Sequence, residues 1–396
     1  METALPGRTP WRSPLGSAWL LPAIAFVVDV WAMSFLLPRG PVRDELVFFP
    51  AARAFASAGV FPSLEFWRSY PAPQTPLSLY LAGRVLTLVP SLLLLRFGNS
   101  LLMFAALLRF SRFAARNFGT NARLAIALVA FNPYFHLVAT HFYTDALYFW
   151  LAVQVTTRAS SRSTWLRLAL LPLVRQFGII YALGEALYAL GQRRFRAAAL
   201  ALGALLPLLA LFALWQGVLP DTPRARVQSS VHGAYGWLFP YVVSYHVAAL
   251  GFYLAPIAWR IERTRRFYWF GLAFAIGYAL APPHANFSAQ LADTGITTLG
   301  YFHRAALVLG PNAAQIALCV FAFIGGGLLG EAWSAPSAPA YIVSLFVVFS
   351  LFGFQAWDKY LLDILPTALI ALLAPAAART SAREPTENRL RRASPA

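Results

Sequence analysis

The sequence predicts an all-α integral membrane protein with about twelve membrane-spanning helices and two surface helices in the first outer loop. Three observations predict it. Only 12% of the 396 residues are charged and 59% are hydrophobic, against roughly 25% charged in soluble domains. Apolar runs long enough to span a bilayer recur along the whole length, and no stretch resembles an appended soluble domain. The arginines fall in short clusters between those runs, the pattern of cytoplasmic loops. The net charge of +17 therefore reports membrane orientation rather than a nucleic-acid partner. The lone Cys319 lies in an apolar run and excludes an internal disulfide.

The first apolar run, 17–37, follows Arg8 and Arg12 and lacks a small-residue cleavage site, so it reads as an uncleaved anchor. The first outer loop, 41–83, is too polar and proline-rich to span. One surface helix is expected to start with Pro50 at its first position and to end at Gly59. A second starts near Pro76 and runs to about Pro90. Further spans are expected at 91–111, 122–138, 145–158, 164–175, 177–191, 197–216, 237–259, 267–282, 305–330, 340–356 and 361–378. Polar loops occupy Pro220–Gly236 and Pro283–His303. Residues 1–378 read as one transmembrane domain, and 379–396 as a basic cytoplasmic tail of disordered composition.

With the N-terminus inside, the inner loops and helix ends carry Arg8 and Arg12; Arg109, Arg112, Arg116 and Arg123; Arg158, Arg162 and Arg167; Arg193, Arg194 and Arg196; Arg260, Arg263, Arg265 and Arg266; and the arginines of the tail. Both termini are then cytoplasmic. The Asp44 loop, the Asp145 turn, both long polar loops and Asp358-Lys359-Tyr360 share the non-cytoplasmic side, and the six histidines fall in or near that half. The expected location is the cytoplasmic (inner) membrane, multi-pass, with any active site on the outer face.

Four constellations carry possible chemistry there. Asp44 and Glu45 are adjacent carboxylates beside the membrane. Neighbours point in different directions on a helix or a strand, so one of the pair suits a general base and the other an orienting role. Asp145 ends the turn His141-Phe142-Tyr143-Thr144-Asp145, where it either caps the next helix or adds a second outer carboxylate. Arg175-Gln176 lies between two short apolar helices. A buried arginine there needs a partner, either a phosphate held bidentately or an internal acid such as Asp29 or Glu185. His232, in a polar loop, is a surface histidine or a substrate contact. Arg84, Arg96, His303-Arg304 and Lys359 either add positive charge near the outer face or are snorkelling side chains. There is no HExxH, CxxC or close His/carboxylate cluster, so no divalent metal or other cofactor is indicated. There is no Walker motif or GxGxxG, which argues against a nucleotide sugar read by a soluble fold.

These residues together resemble the GT-C superfamily of multispanning glycosyltransferases. Within it the chain is most similar to the alpha-1,2-glucosyltransferases that use dolichyl-phosphate glucose, as a bacterial-type relative. Asp44-Glu45 with Phe49-Pro50-Ala51-Ala52 resembles that family's acidic opening, and Thr75-Pro76-Leu77-Ser78-Leu79-Tyr80 its loop after the surface helix. Tyr143-Thr144-Asp145 resembles its tyrosine-rich turn, Arg175-Gln176 its Arg-Gln segment, and Lys359-Tyr360-Leu361-Leu362 with Pro366 the basic-Tyr-Leu-Leu segment before the last helix. The match is best over 41–181 and thin after about 190. The loop between the ninth and tenth spans, HANFSAQLADTGITTLGYFHR, departs from the family's charged sequence, which leaves the sugar and acceptor open.

The resemblance implies a polyprenyl-phosphate hexose as donor, a glycan or lipid-linked acceptor of the cell envelope, and inverting transfer. It places Asp44 near the base role; the residues themselves add Glu45 and Asp145 as candidates beside it, and Arg175, Gln176, His232, Arg304, Lys359 and Tyr360 as candidates around the substrates. The alternative is a transporter or flippase for a lipid-linked glycan, against which the chain shows no internal repeat and no paired broken helices.

Overall fold

The computed structural model describes residues 14–157, 163–222, 237–282, 300–308, 310–353 and 359–374. Among these residues every regular element is a helix. The N-terminal half contains α1 (Pro14–Phe35), α2 (Glu45–Ser57), α3 (Leu64–Ser69), α4 (Leu77–Leu88), α5 (Leu92–Asn117), α6 (Ala122–Ala130), α7 (Pro133–Thr140), α8 (Asp145–Thr156), α9 (Ser163–Val174) and α10 (Ile179–Gly191). The C-terminal half contains α11 (Phe195–Gly203), α12 (Leu206–Trp215), α13 (Pro240–Ala258), α14 (Arg265–Leu280), α15 (Tyr301–Leu307), α16 (Pro311–Ala332), α17 (Ala338–Ser350) and α18 (Tyr360–Ala374).

Among the described residues five segments are long and apolar enough to cross a bilayer: α1, α5, α11 with α12, α13 and α16; counting the bent pair α6–α7 as one span makes six. This is the signature of a helical membrane protein. Other apolar helices are too short to cross alone. The 12 residues of α9 rise only about 18 Å, against roughly 30 Å of hydrocarbon. The expected span 122–138 is two helices meeting at 54°. Pro133 cannot continue α6, and Asn132 starts afresh by accepting the Tyr134 N–H on its side chain at 2.9 Å.

The first outer loop also differs from expectation. Its first helix begins at Glu45, not Pro50, because the Val47 and Phe48 N–H groups bond the Asp44 carbonyl at 2.9 and 3.0 Å. Burial of Glu45, Phe48 and Phe55 on one face holds that turn, with Pro50 tolerated inside. Gly59 lies just past the end with φ +81, the left-handed value that glycine adopts without strain. An additional short helix, α3, precedes α4; Ser63 caps it by accepting the Phe66 N–H at 3.2 Å. The loop therefore holds three helices.

Two packing centres organise the chain. In the first, α5 presents Met103, Ala106, Leu107 and Phe110, all fully buried, among α1, α7 and α8. In the second, α13 and α14 pack on the glycine-rich α16. A Cβ at Gly251 or Gly325 would collide with the opposing backbone, so these two helices touch main chain to main chain, as small residues permit in membranes. Between α9 and α10 a single 3₁₀ turn, Gln176–Gly178, makes an elbow. It is tight because Gly178 lies directly against the backbone of Leu171 and Pro172. That elbow aims Arg175.

Candidate functional site

Four segments far apart in sequence converge on one ionic cluster. Asp44 stands at the N-cap position of α2, just after Arg43, whose φ of 55 is unusual for a residue with a side chain. Lys359, immediately before α18, donates to Asp44 Oδ2 at 3.0 Å. The same ammonium lies 3.8 Å from Asp145 Oδ2 and 4.4 Å from the centre of the Tyr143 ring. Arg175 donates to Asp145 Oδ1 and lies over the Tyr360 ring. Burial works against the Lys359 charge, but Asp145 and Asp44 outweigh it and raise its pKa, so it stays an ammonium. Burial, then Asp44 and Asp145, push the Tyr143 phenol above its ordinary value, which leaves an O–H donor beside the carboxylates.

Access separates the carboxylates. The Asp44 side chain keeps 23% of its surface, and that of Asp145 only 2%. Asp145 is the first residue of α8 but makes no capping bond; its side chain turns to Arg175 instead. Arg175 thus finds its internal partner in Asp145, not in Asp29 or Glu185. Asp29 pairs with His136 at 2.7 Å.

Glu45 faces away from the cluster. Its carboxylate is fully buried and receives Arg96 Nε at 2.8 Å and Nη2 at 2.6 Å. The Phe142 and Val42 N–H groups add bonds at 2.7 and 3.0 Å. Arg96 also donates to the Pro38 and Gly40 carbonyls at 2.8 and 2.9 Å. Burial favours the neutral acid, but Arg96 and the two backbone donors outweigh it and hold the Glu45 carboxyl below its ordinary value. This knot ties the chain before α2, the start of α5 and the turn before α8 together, and so sets where Asp44 and Asp145 stand. Asn99 fixes the same turn by donating to the carbonyls of His141 and Tyr143, both at 2.8 Å.

The other expected site residues divide. Tyr360 is in the cluster. Gln176 donates to the Pro73 carbonyl at 3.2 Å, joining the elbow to the outer loop. Arg304 is exposed on α15 and makes no ion pair among the described residues, although Tyr301 of that helix lies 3.4 Å from Arg43 Nη1. His232 lies outside the described residues.

Several buried polar atoms make no hydrogen bond near the cluster: Asp145 Oδ2, Thr144 Oγ1, the Tyr148 hydroxyl and Asp363 Oδ1, with Gln74 Oε1 and Thr75 Oγ1 in the loop that Gln176 touches; others are spread through the fold. Unpaired buried polar atoms are uncommon in folded proteins, and a concentration of them suits a hydroxyl-rich ligand. Asp363 was not anticipated. It sits one turn beyond Lys359, within electrostatic reach of Asp145, Arg175 and Lys359. An acidic residue inside an apolar helix was the available signal. Nearby, an apolar cleft of about 490 Å³ opens between the α6–α7 bend, α13 and α15, with Phe131, Phe252 and Tyr301 in its walls. Tyr301 links this cleft to Arg43, next to Asp44. Among the described residues no group of three or more His, Cys, Asp or Glu is placed to hold a metal ion.

No protein-family model, curated protein or solved structure matches the chain.

Proposed function

We propose that the protein is a membrane glycosyltransferase of GT-C type, with twelve membrane passes, that moves a hexose from a polyprenyl-phosphate sugar to an acceptor at the non-cytoplasmic face. The observation that carries this reading is the meeting of Asp44, Asp145, Arg175 and Lys359, ringed by unpaired buried polar atoms. Two cations beside two carboxylates suit a reaction that must bind a phosphate and also remove a proton.

In the proposed step the acceptor oxygen attacks the anomeric carbon and forms the new glycosidic bond. The bond from that carbon to the phosphate oxygen breaks, and its electron pair leaves with the polyprenyl phosphate. The acceptor proton passes to Asp44, the more exposed of the two aspartates. Phosphate leaves without protonation, so one carboxylate is enough. Lys359 and Arg175 meet the developing charge on the phosphate, and as Lys359 turns toward it Asp44 is released to act. The prenyl chain enters through the apolar cleft that ends at Tyr301.

Arg175 gives the first test. Lysine cannot reproduce the planar fork of a guanidinium. Arg175→Lys is therefore expected to raise the donor KM about tenfold or more, with the folded fraction unchanged. Unaltered donor KM in well-folded Arg175→Gln would leave only the structural pair with Asp145. Orientation is tested separately by labelling in a Cys319→Ala background. Phe61→Cys, at a residue 94% exposed in the first loop, should react with an impermeant thiol reagent from outside, and Phe195→Cys only from inside. Labelling of position 61 from the cytoplasm would put Asp44 in the wrong compartment.

A further inference from the structure

We propose that the end of the bundle opposite the Asp44 cluster carries a binding site for the phosphate of an anionic membrane lipid, built by Arg109, Arg167 and Thr164. Three helices run from the ionic cluster, or from the Glu45–Arg96 knot next to it, to this site. Helix α5 carries Arg96 beside Glu45 and, about 20 Å further along its axis, Arg109. Helix α8 starts at Asp145 and ends where Thr157 accepts Arg109 Nε at 2.8 Å. Helix α9 bears Arg167 near its start and leads to Arg175.

Arg109 and Arg167 are half-buried and close enough for their charges to repel. Neither makes an ion pair among the described residues. Two partly desolvated guanidinium groups within electrostatic reach of each other are stabilised by an anion between them. With Nε on Thr157, Arg109 keeps its terminal nitrogens for such a ligand. The Thr164 hydroxyl oxygen is buried without a hydrogen-bond partner and lies one turn before Arg167 on the same face of α9. It supplies the further polar group that a phosphate oxygen would take.

The surroundings favour a lipid over free phosphate. Trp165 and Leu166, beside Thr164, are 46% and 52% exposed. Arg112, one turn from Arg109, lies 5.2 Å over the ring of Trp19, itself 49% exposed. Exposed tryptophans at the ends of apolar helices mark the headgroup level of a bilayer, and arginine clusters there attract anionic leaflets.

The test uses the full-length protein purified in neutral detergent, with phosphatidylglycerol or phosphatidylcholine added, read by native mass spectrometry and by thermal unfolding. Phosphatidylglycerol is expected to be retained and to raise Tm, and phosphatidylcholine to do neither. Arg109→Gln with Arg167→Gln should weaken retention by at least about tenfold, while Arg265→Gln, at an exposed arginine starting α14, should not. If the double variant does not stay monodisperse, Arg167→Gln alone carries the comparison, because Arg167 makes no hydrogen bond among the described residues. Equal retention of both lipids, undiminished retention by the variant, or an equal loss with Arg265→Gln overturns the site. An equal Tm rise with inorganic phosphate alone overturns the lipid assignment.

Discussion

Asp44→Asn is expected to fold, insert and bind the polyprenyl-phosphate sugar, yet to transfer at least about a hundredfold more slowly, since a general base contributes roughly 10²–10⁴ in rate. Asparagine keeps the size and hydrogen-bonding reach of aspartate but cannot take the acceptor proton at neutral pH. The substitution should be tolerated structurally because Asp44 is only partly buried and Lys359 keeps Asp145 within 3.8 Å. The measurement is the initial rate with lipid-linked donor and purified enzyme, with donor binding followed separately. Asp145→Asn provides the contrast. Its carboxylate orients Arg175, so the loss should fall mainly on donor KM. Near-normal transfer by Asp44→Asn would remove the base assignment, and a dead Asp145→Asn beside it would move the base to the second outer loop. If neither change mattered, the transporter reading would take precedence and would be tested by a flux assay.

The parts of the site legible in the sequence were those carried by charge in an apolar chain. Asp44, Asp145, Arg175 and Lys359 are conspicuous because an ion beside hydrocarbon needs a partner, and in the structure they are partners of one another. Pairing itself was not legible. Arg96 reads in the sequence as one of several positive charges near the outer face, but it closes on Glu45 across 51 positions, a contact that only the folded chain brings together. Helix breaks were partly legible: Asn132-Pro133 is a cap followed by a helix-starting proline, yet the apolar run across it read as one span. The start of α2 is not legible because Pro50 suits a first-turn position, whereas burial of Glu45 and Phe48 extends the helix back past it. Composition establishes apolar length, while tertiary packing decides which apolar stretches become long helices. That is why the 13-residue α17 stands where the longer span 340–356 was expected.

The second large effect is expected in stability rather than rate. Glu45→Gln removes one partner of a buried ion pair and leaves the Arg96 guanidinium against an amide, which typically costs about 3–5 kcal/mol. The neighbouring bonds point the same way. Two backbone N–H groups and two guanidinium nitrogens converge on the carboxylate, and glutamine turns one acceptor atom into a donor facing them. A marked fall in Tm in detergent is therefore expected, with little change in acceptor KM for the molecules that remain folded. An orienting role toward the acceptor would give the reverse: unchanged Tm and raised acceptor KM. The pair also fixes the pH dependence. The Glu45 carboxyl is held below its ordinary value in the fold, so its contribution is complete above the unfolded glutamate pKa of about 4.3. It is lost as the pH falls through the lower folded value, and the Tm gap between wild type and Glu45→Gln should close there. Adding Arg96→Met to Glu45→Gln removes the stranded charge and should recover part of the loss, because an apolar pair can replace a buried ion pair at little cost. A Glu45→Gln protein with wild-type Tm across this range would mean that the Glu45–Arg96 knot does not hold the two aspartates in place.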